Sequence, residues 1–290
     1  MKKLLTTLLS LTIALVPMQV AQANDQKVLA IIDTAIDYKK VSSVIYEACF
    51  TQNQSCPNKT NFMEGTGSAA SPVWPTSITS DVYHGHNVTQ AALVTSPDIK
   101  IVFVRIANIT ATGGSLNQPQ SIMQAIDWVS KNASKYSIDA VSISQSSIST
   151  NNLARCTTDT VTINAVSTLN NQSVPVFAAT GNDGLLDKVG FPSCVSGVLG
   201  VGALASTSKT KLPSTYTIFA KSTNRGPGLD IVAQGDTIIT RYNGTSLEAF
   251  GTSIASPIAA SLYVNKNTDR NVNNFIGTFS KVLTYTYISK

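Results

Sequence analysis

Four stretches of this chain read as strands, the first of them buried on both faces, and helical patterns separate them. Residues 27–32 form a continuous apolar run of strand length, and residues 99–105, 138–144 and 174–180 read as further strands. A strand covered on both sides loses the polar–apolar alternation of a one-sided sheet. Between these runs lie helical patterns at residues 84–94, 120–133 and 157–171, the second with Ile122, Ile126 and Val129 on its buried face. Strand and helix in turn predict a three-layer α/β fold, with a mostly parallel, doubly wound sheet and helices on both faces. Residues 197–203 and 229–233 read as further core strands. The glycines at 197, 200 and 202 have the wrong spacing for a dinucleotide fingerprint, and no helix follows them. Residues 42–81 read as a long polar loop.

In such sheets ligands bind beyond the carboxyl ends of the strands. Asp33 closes the first strand pattern, and Gly181-Asn182 follows the fourth. His84 opens the first helical pattern. The stretch Gly251-Thr252-Ser253-Ile254-Ala255-Ser256-Pro257 opens a last helix reaching about Asn265. A serine at a helix start has its hydroxyl in the open beside unpaired N–H groups at the positive end of the helix dipole. That suits a nucleophile whose attack creates an oxyanion. Each residue also has a plainer reading. Asp33 and Asn182 suit turns, and Thr252 or Ser253 suits a helix cap. Asp37 reads as a loop residue. Gly244-Thr245-Ser246 repeats the Gly-Thr-Ser triplet, but the Glu248 and Phe250 that follow do not suit a helix packed close to a sheet.

Taken together, four stretches resemble motifs of the subtilisin-like serine proteases. Residues 251–257 resemble the nucleophile motif Gly-Thr-Ser-Met-Ala-Ser-Pro, with Ile254 in place of Met. Residues 28–37 resemble the Asp motif, and His84-Gly85-His86-Asn87-Val88 resembles the His motif. Ala178-Ala179-Thr180-Gly181-Asn182-Asp183-Gly184 resembles the oxyanion-hole motif. The order Asp, His, Asn, Ser is the family's own, and the matches run over about 225 residues. The resemblance implies a catalytic triad of Asp33, His84 and Ser253, with Asn182 in the oxyanion hole. It also implies that substrate joins as an extended strand between residues 112–116 and 143–146. Gly113, Gly114, Ser144, Gln145, Ser146, Gly181 and Gly190 are then the candidate substrate-binding residues. Gly190 would form the base of the first pocket and leave room for a large apolar or aromatic side chain. Ser146 stands where the family usually has Gly, which bears on the depth of that pocket. The implied activity is endopeptidase cleavage of peptides or proteins, with broad or apolar preference before the scissile bond.

The N-terminus reads Met1-Lys2-Lys3, an apolar run from Leu4 to Val16, and Ala21-Gln22-Ala23. This is the pattern of a secretory signal peptide over residues 1–23. The run is short for a membrane span, so no stable membrane anchor is expected. A single peptidase domain over residues 24–290 is predicted, with no recognisable pro-domain, exported to periplasm or medium and monomeric. Without Lys2 and Lys3 the chain has 19 basic and 16 acidic residues, a net charge of +3 with no basic run, so no nucleic-acid partner is expected.

Four cysteines in an exported chain favour two disulfides, with three pairings open. Similarity to secreted family members with a Cys in a stretch like Phe191-Pro192-Ser193-Cys194 favours Cys49–Cys56 and Cys156–Cys194. The cysteines lack the close paired spacing of a zinc site. Family members that bind calcium tightly have a longer loop after the His helix and an acidic ligand soon after the catalytic Asp. Here residues 95–98 lead straight into the next strand, and Lys39-Lys40-Val41-Ser42 occupies the ligand region. The family's main calcium site is therefore expected to be absent, and no cofactor is implied beyond a weak calcium site. Esterase-type α/β-hydrolases need Gly-x-Ser-x-Gly and the order Ser, Asp, His, and neither is present. The remaining alternative is a catalytically silent secreted protein of the same fold that binds peptides.

Overall fold

The computed structural model describes residues 26–77, 79–110, 112, 114–206 and 216–266. The predicted signal peptide, Gly113 and a surface helix expected over residues 273–282 lie outside these residues. The predicted α/β architecture is present. A nine-stranded sheet contains β1 (Val28–Asp33), β2 (Val44–Phe50), β3 (Phe62–Glu64), β4 (Lys100–Arg105), β7 (Ala140–Ile143), β8 (Val176–Ala179), β9 (Val198–Ser206), β10 (Tyr216–Phe219) and β11 (Ile231–Gln234). Its order is β10-β9-β8-β7-β1-β4-β2-β3, with β11 also paired to β9. Only β3 and β10 pair antiparallel within it. Two small hairpins stand apart from the sheet, β5 (Ala107–Ile109) with β6 (Ser115–Asn117), and β12 (Asp236–Thr240) with β13 (Ser246–Phe250).

The helices are α1 (His84–Thr95), α2 (Pro119–Asn132), α3 (Thr150–Thr158), α4 (Thr160–Asn171) and α5 (Thr252–Lys266). Alternate residues of β1 serve opposite layers, as the two-residue strand period requires. Val28, Ala30 and Ile32 pack with Ile122, Ile126 and Val129 of α2 and Val166 and Leu169 of α4. Leu29 and Ile31 pack with Val88 and Ala92 of α1 and Ile258 and Ala259 of α5. The sheet thus carries α2 and α4 on one side and α1 and α5 on the other. Strand β1 sits between β4 and β7 in parallel register. The chain leaves β1 for one neighbour and later returns for the other, which opens a crevice at the carboxyl end of β1.

Two stretches differ from the sequence reading. The supposed loop 42–81 contains β2, which pairs parallel to β4 and extends the main sheet, and β3, which pairs with β2. Glu47 breaks the apolar run of β2, yet it is buried, and its carboxylate accepts the Gly67 N–H. Burial raises its pKa above the usual carboxylate value, opposed by the N–H donors of Gly67 and Ala69. The predicted helix over 157–171 is two helices. Asp159 separates them, and its Oδ1 caps α4 by accepting the Val161 and Thr162 N–H groups at 3.1 and 3.2 Å.

Arg105 fixes the rest of the loop. It is fully buried and donates to the carbonyls of Ala107, Ala70 and Ser55 at 3.2, 2.6 and 2.9 Å. Burial lowers its pKa to about 10, which leaves it charged at neutral pH. Cys49 on β2 is bonded to Cys56, and Cys156 on α3 is bonded to Cys194.

Candidate active site

Asp33 ends β1 with its carboxylate wholly buried, while 31% of the His84 side chain is exposed. The His84 Nδ1 and Asp33 Oδ1 atoms are 2.8 Å apart. An ionised carboxylate only accepts, so Nδ1 carries the proton and Nε2 of the neutral ring is the free base. The approach depends on Gly85. A Cβ there would lie 2.5 Å from the Ala35 carbonyl, so only glycine lets the start of α1 sit against the end of β1. The Gly85 N–H also donates to Thr34 Oγ1 at 2.8 Å.

Burial alone would lower the His84 pKa, but the Asp33 charge and hydrogen bond, helped by Asp81, raise it above its ordinary 6.5. His86 points elsewhere. Its Nε2 lies 3.2 Å from the Thr240 carbonyl, and burial lowers its pKa. Asp37 accepts a hydrogen bond from the Tyr242 hydroxyl at 3.0 Å, and Ser246 is an exposed residue of β13.

Ser253 is the second residue of α5. Pro257 sits inside that helix and has no N–H to bond the Ser253 carbonyl four residues back. Ser144, just past β7, makes up the loss, since its hydroxyl donates to the Ser253 carbonyl at 2.8 Å. In return the Ser253 Oγ donates to the Ser144 carbonyl at 3.2 Å. This pair of bonds locks the helix start to the strand beside β1.

Asn182 lies beyond β8, and its Oδ1 accepts the Thr252 N–H at 2.9 Å and the Thr252 hydroxyl at 3.1 Å. The Thr252 N–H can only donate, so the oxygen of Asn182 must face it and the NH₂ group is turned the other way. The turn that carries Asn182 is held by Asn224, a fully buried residue absent from the sequence reading. Asn224 Oδ1 accepts the Asp183 and Leu185 N–H groups at 2.9 and 3.1 Å, and its Nδ2 donates to Asp183 Oδ2 at 2.9 Å. A polar residue directly before Arg225-Gly226-Pro227-Gly228 was the available signal, but a turn explains that pattern equally well.

His84, Ser253, Asn182, Gln145, Ser146 and Gly181 meet around one pocket of about 350 Å³. Gly190 lies behind its wall. A Cβ on Gly190 would fall 2.1 Å from Ser146 Oγ, so the serine hydroxyl already fills the space that the glycine leaves open. That hydroxyl is buried and has no hydrogen-bond partner. Gly114 sits at the tip of the β5–β6 hairpin, where its N–H donates to Thr110 Oγ1 at 2.9 Å. Among the described residues, no group of three or more His, Cys, Asp or Glu side chains is placed to hold a metal ion.

The sequence profile of the subtilase family (peptidase S8) matches residues 24–264. The chain is a subtilase. The minor extracellular protease Epr of Bacillus subtilis (strain 168) is 29% identical to it over 168 residues, which is 58% of this chain and 22% of that protein. The match therefore spans only about a fifth of the relative's length. Among solved structures, a psychrophilic protease named S41 aligns with a TM-score of 0.63 at 20% identity, covering 88% of this chain and 82% of that one. A protease of Pseudoalteromonas arctica aligns with a TM-score of 0.63 at 18% identity, covering 86% and 80%. These structures share the fold of this subtilase, and its family supports a serine protease. No helix among its described residues is long and apolar enough to cross a membrane.

Proposed function

We propose that this subtilase is an exported serine endopeptidase that cleaves peptide bonds through Asp33, His84 and Ser253. The 2.8 Å contact between buried Asp33 and His84, opening on the pocket that holds Ser253, carries this reading. Asp33 holds the proton on Nδ1 and stabilises the imidazolium that forms. The Ser253 hydroxyl turns from the Ser144 carbonyl to His84 Nε2, gives up its proton and attacks the substrate carbonyl. The Asn182 NH₂ group and the Ser253 N–H receive the oxyanion. His84 then protonates the leaving amine, and water, deprotonated by His84, releases the acyl group. The chain's own side chains, the Ser253 main-chain N–H and water carry this chemistry. The substrate is a peptide or protein, and the working unit is one chain.

Three measurements check parts of this reading. His84 must be neutral to accept the serine proton, and its pKa is raised. Activity is therefore present at higher pH and is lost as pH falls through a midpoint above 6.5, read from the acid limb of kcat/KM against pH. Asn182→Ala removes one oxyanion donor. It should lower kcat by about a hundred- to a thousandfold, a range known from another member of this family rather than derived from this site, with KM little changed. Substrate profiling should show apolar residues before the scissile bond, limited in size by Ser146. Ser146→Gly should raise kcat/KM for phenylalanine relative to alanine at that position by about tenfold or more.

A further inference from the structure

Asp33 has a second acceptor atom that the triad leaves unused. Its Oδ1 takes the Thr34 N–H at 2.7 Å as well as His84 Nδ1. Its Oδ2 accepts from Gln145 Nε2 at 3.1 Å. Gln145 follows β7, whose register with β1 pairs Ile143 with Ile32, so its side chain starts one strand away from the carboxylate. Because the carboxylate only accepts, the Gln145 amide must turn its nitrogen to Asp33 and its oxygen away. That oxygen accepts from Asn117 Nδ2 at 2.5 Å. Asn117 ends β6, so the chain of hydrogen bonds that runs from Asn117 through Gln145 to the accepting carboxylate of Asp33 begins on the small hairpin at the rim of the pocket. Each amide orientation is fixed by the next group along.

We propose that Gln145, held by Asn117, is a positioning residue for the Asp33–His84 pair. It acts in two ways. Its N–H draws on the charge of Asp33, so the carboxylate holds the His84 proton less tightly. Its nitrogen also stands 3.4 Å from His84 Nδ1, where two donors face one another and a positive ring is disfavoured. Both effects hold the pKa of His84 down, against the pull of Asp33 from β1 and Asp81 from the turn before α1; Asp183 lines the far side of the pocket. Gln145 thereby moderates the basicity that Asp33 confers, and it keeps the carboxylate from rotating. Gln145 is also a candidate substrate-binding residue and lines the pocket, and its side-chain amide donates to Asp33.

This inference rests on the proposed function, so the full chain is assayed first with a peptide substrate. Absence of hydrolysis by the folded wild-type protein would remove the proposed function itself, and this role with it. With an active wild type, Gln145→Leu should lower kcat by about tenfold, the scale of one hydrogen bond to a charged group, with KM within about twofold. The acid limb of kcat/KM should move to higher pH by about half a unit. Gln145→Glu keeps the shape but sets a second carboxylate beside Asp33, and should move the limb up by about one unit or more. Asn117→Ala should shift it in the same direction by less. Far-ultraviolet circular dichroism identifies any variant that has not folded, and the three variants together keep the test decisive. Folded variants whose acid limb and kcat match the wild type would overturn the proposal. So would a change in KM alone, which would make Gln145 a substrate contact.

Discussion

Ser253→Ala is expected to abolish peptide hydrolysis while leaving the fold intact. Ser253 is half-buried, and its hydroxyl donates to the Ser144 carbonyl. The reverse bond, from Ser144 Oγ to the Ser253 carbonyl, uses the main chain and survives the substitution. Removing Oγ therefore costs little stability, about 1 kcal/mol for one hydrogen bond. It removes the proposed nucleophile entirely. The loss in kcat should approach about a millionfold, the scale seen on removing the serine in another member of this family and not a figure derived from this site. The pair of measurements is kcat on a peptide substrate and the thermal midpoint. Activity within tenfold of the wild type would take Ser253 out of the mechanism. A collapse of the midpoint would mean that the serine is structural.

Asp33→Asn should have the next largest effect, and it carries a signature in pH. The substitution keeps the shape of a fully buried side chain but removes its charge. Two opposing influences act on His84: burial lowers its pKa, and Asp33 raises it. With the charge gone, burial is left to dominate, so the acid limb should move from above 6.5 to below it. Turnover should fall by about ten thousandfold, the scale for the same change in the triad of an unrelated serine protease. The geometry adds a specific strain. Oδ1 of Asp33 receives two donors and Oδ2 a third, so an amide nitrogen at either position meets a donor unless its partners turn. Gln145 and Asn117 can both flip to accommodate it, which would preserve the fold but not the charge. A fall in turnover without a downward shift of the acid limb would separate the orienting role of Asp33 from its electrostatic one.

Much of this architecture was legible in the sequence because the relevant signals are local. The runs in β1 and β4 have no polar residue inside them, and a strand buried on both faces has few other readings. Asp33 stands at a strand end, Asn182 just past another, and His84 and Ser253 at helix starts, and the fold brings these together at the crevice beside β1. What escaped was set by contacts between distant residues. Strand β2 was hidden by Glu47, whose burial depends on the Gly67 N–H twenty positions away. The break between α3 and α4 turns on Asp159 acting as a cap, an arrangement that helical periodicity does not reveal. Gln145 was placed near the site, but the partner of its side chain was not foreseen, because strand register decides that it reaches Asp33. Asn224 carries no distinct local signal of its role, and its side-chain hydrogen bonds to the turn carrying Asn182 form only after β8 and the 220–226 segment have met.

The proposed hydrolysis requires that Ser253 be activated by the groups around it. The most direct measurement is labelling of the oxidised, folded protein with a fluorophosphonate probe, read by intact mass and peptide mapping. The predicted result is one adduct per chain on Ser253, forming faster as pH rises through the midpoint of His84 and absent from Ser253→Ala. No adduct on the folded wild-type protein, or equal labelling of Ser253→Ala, would contradict it.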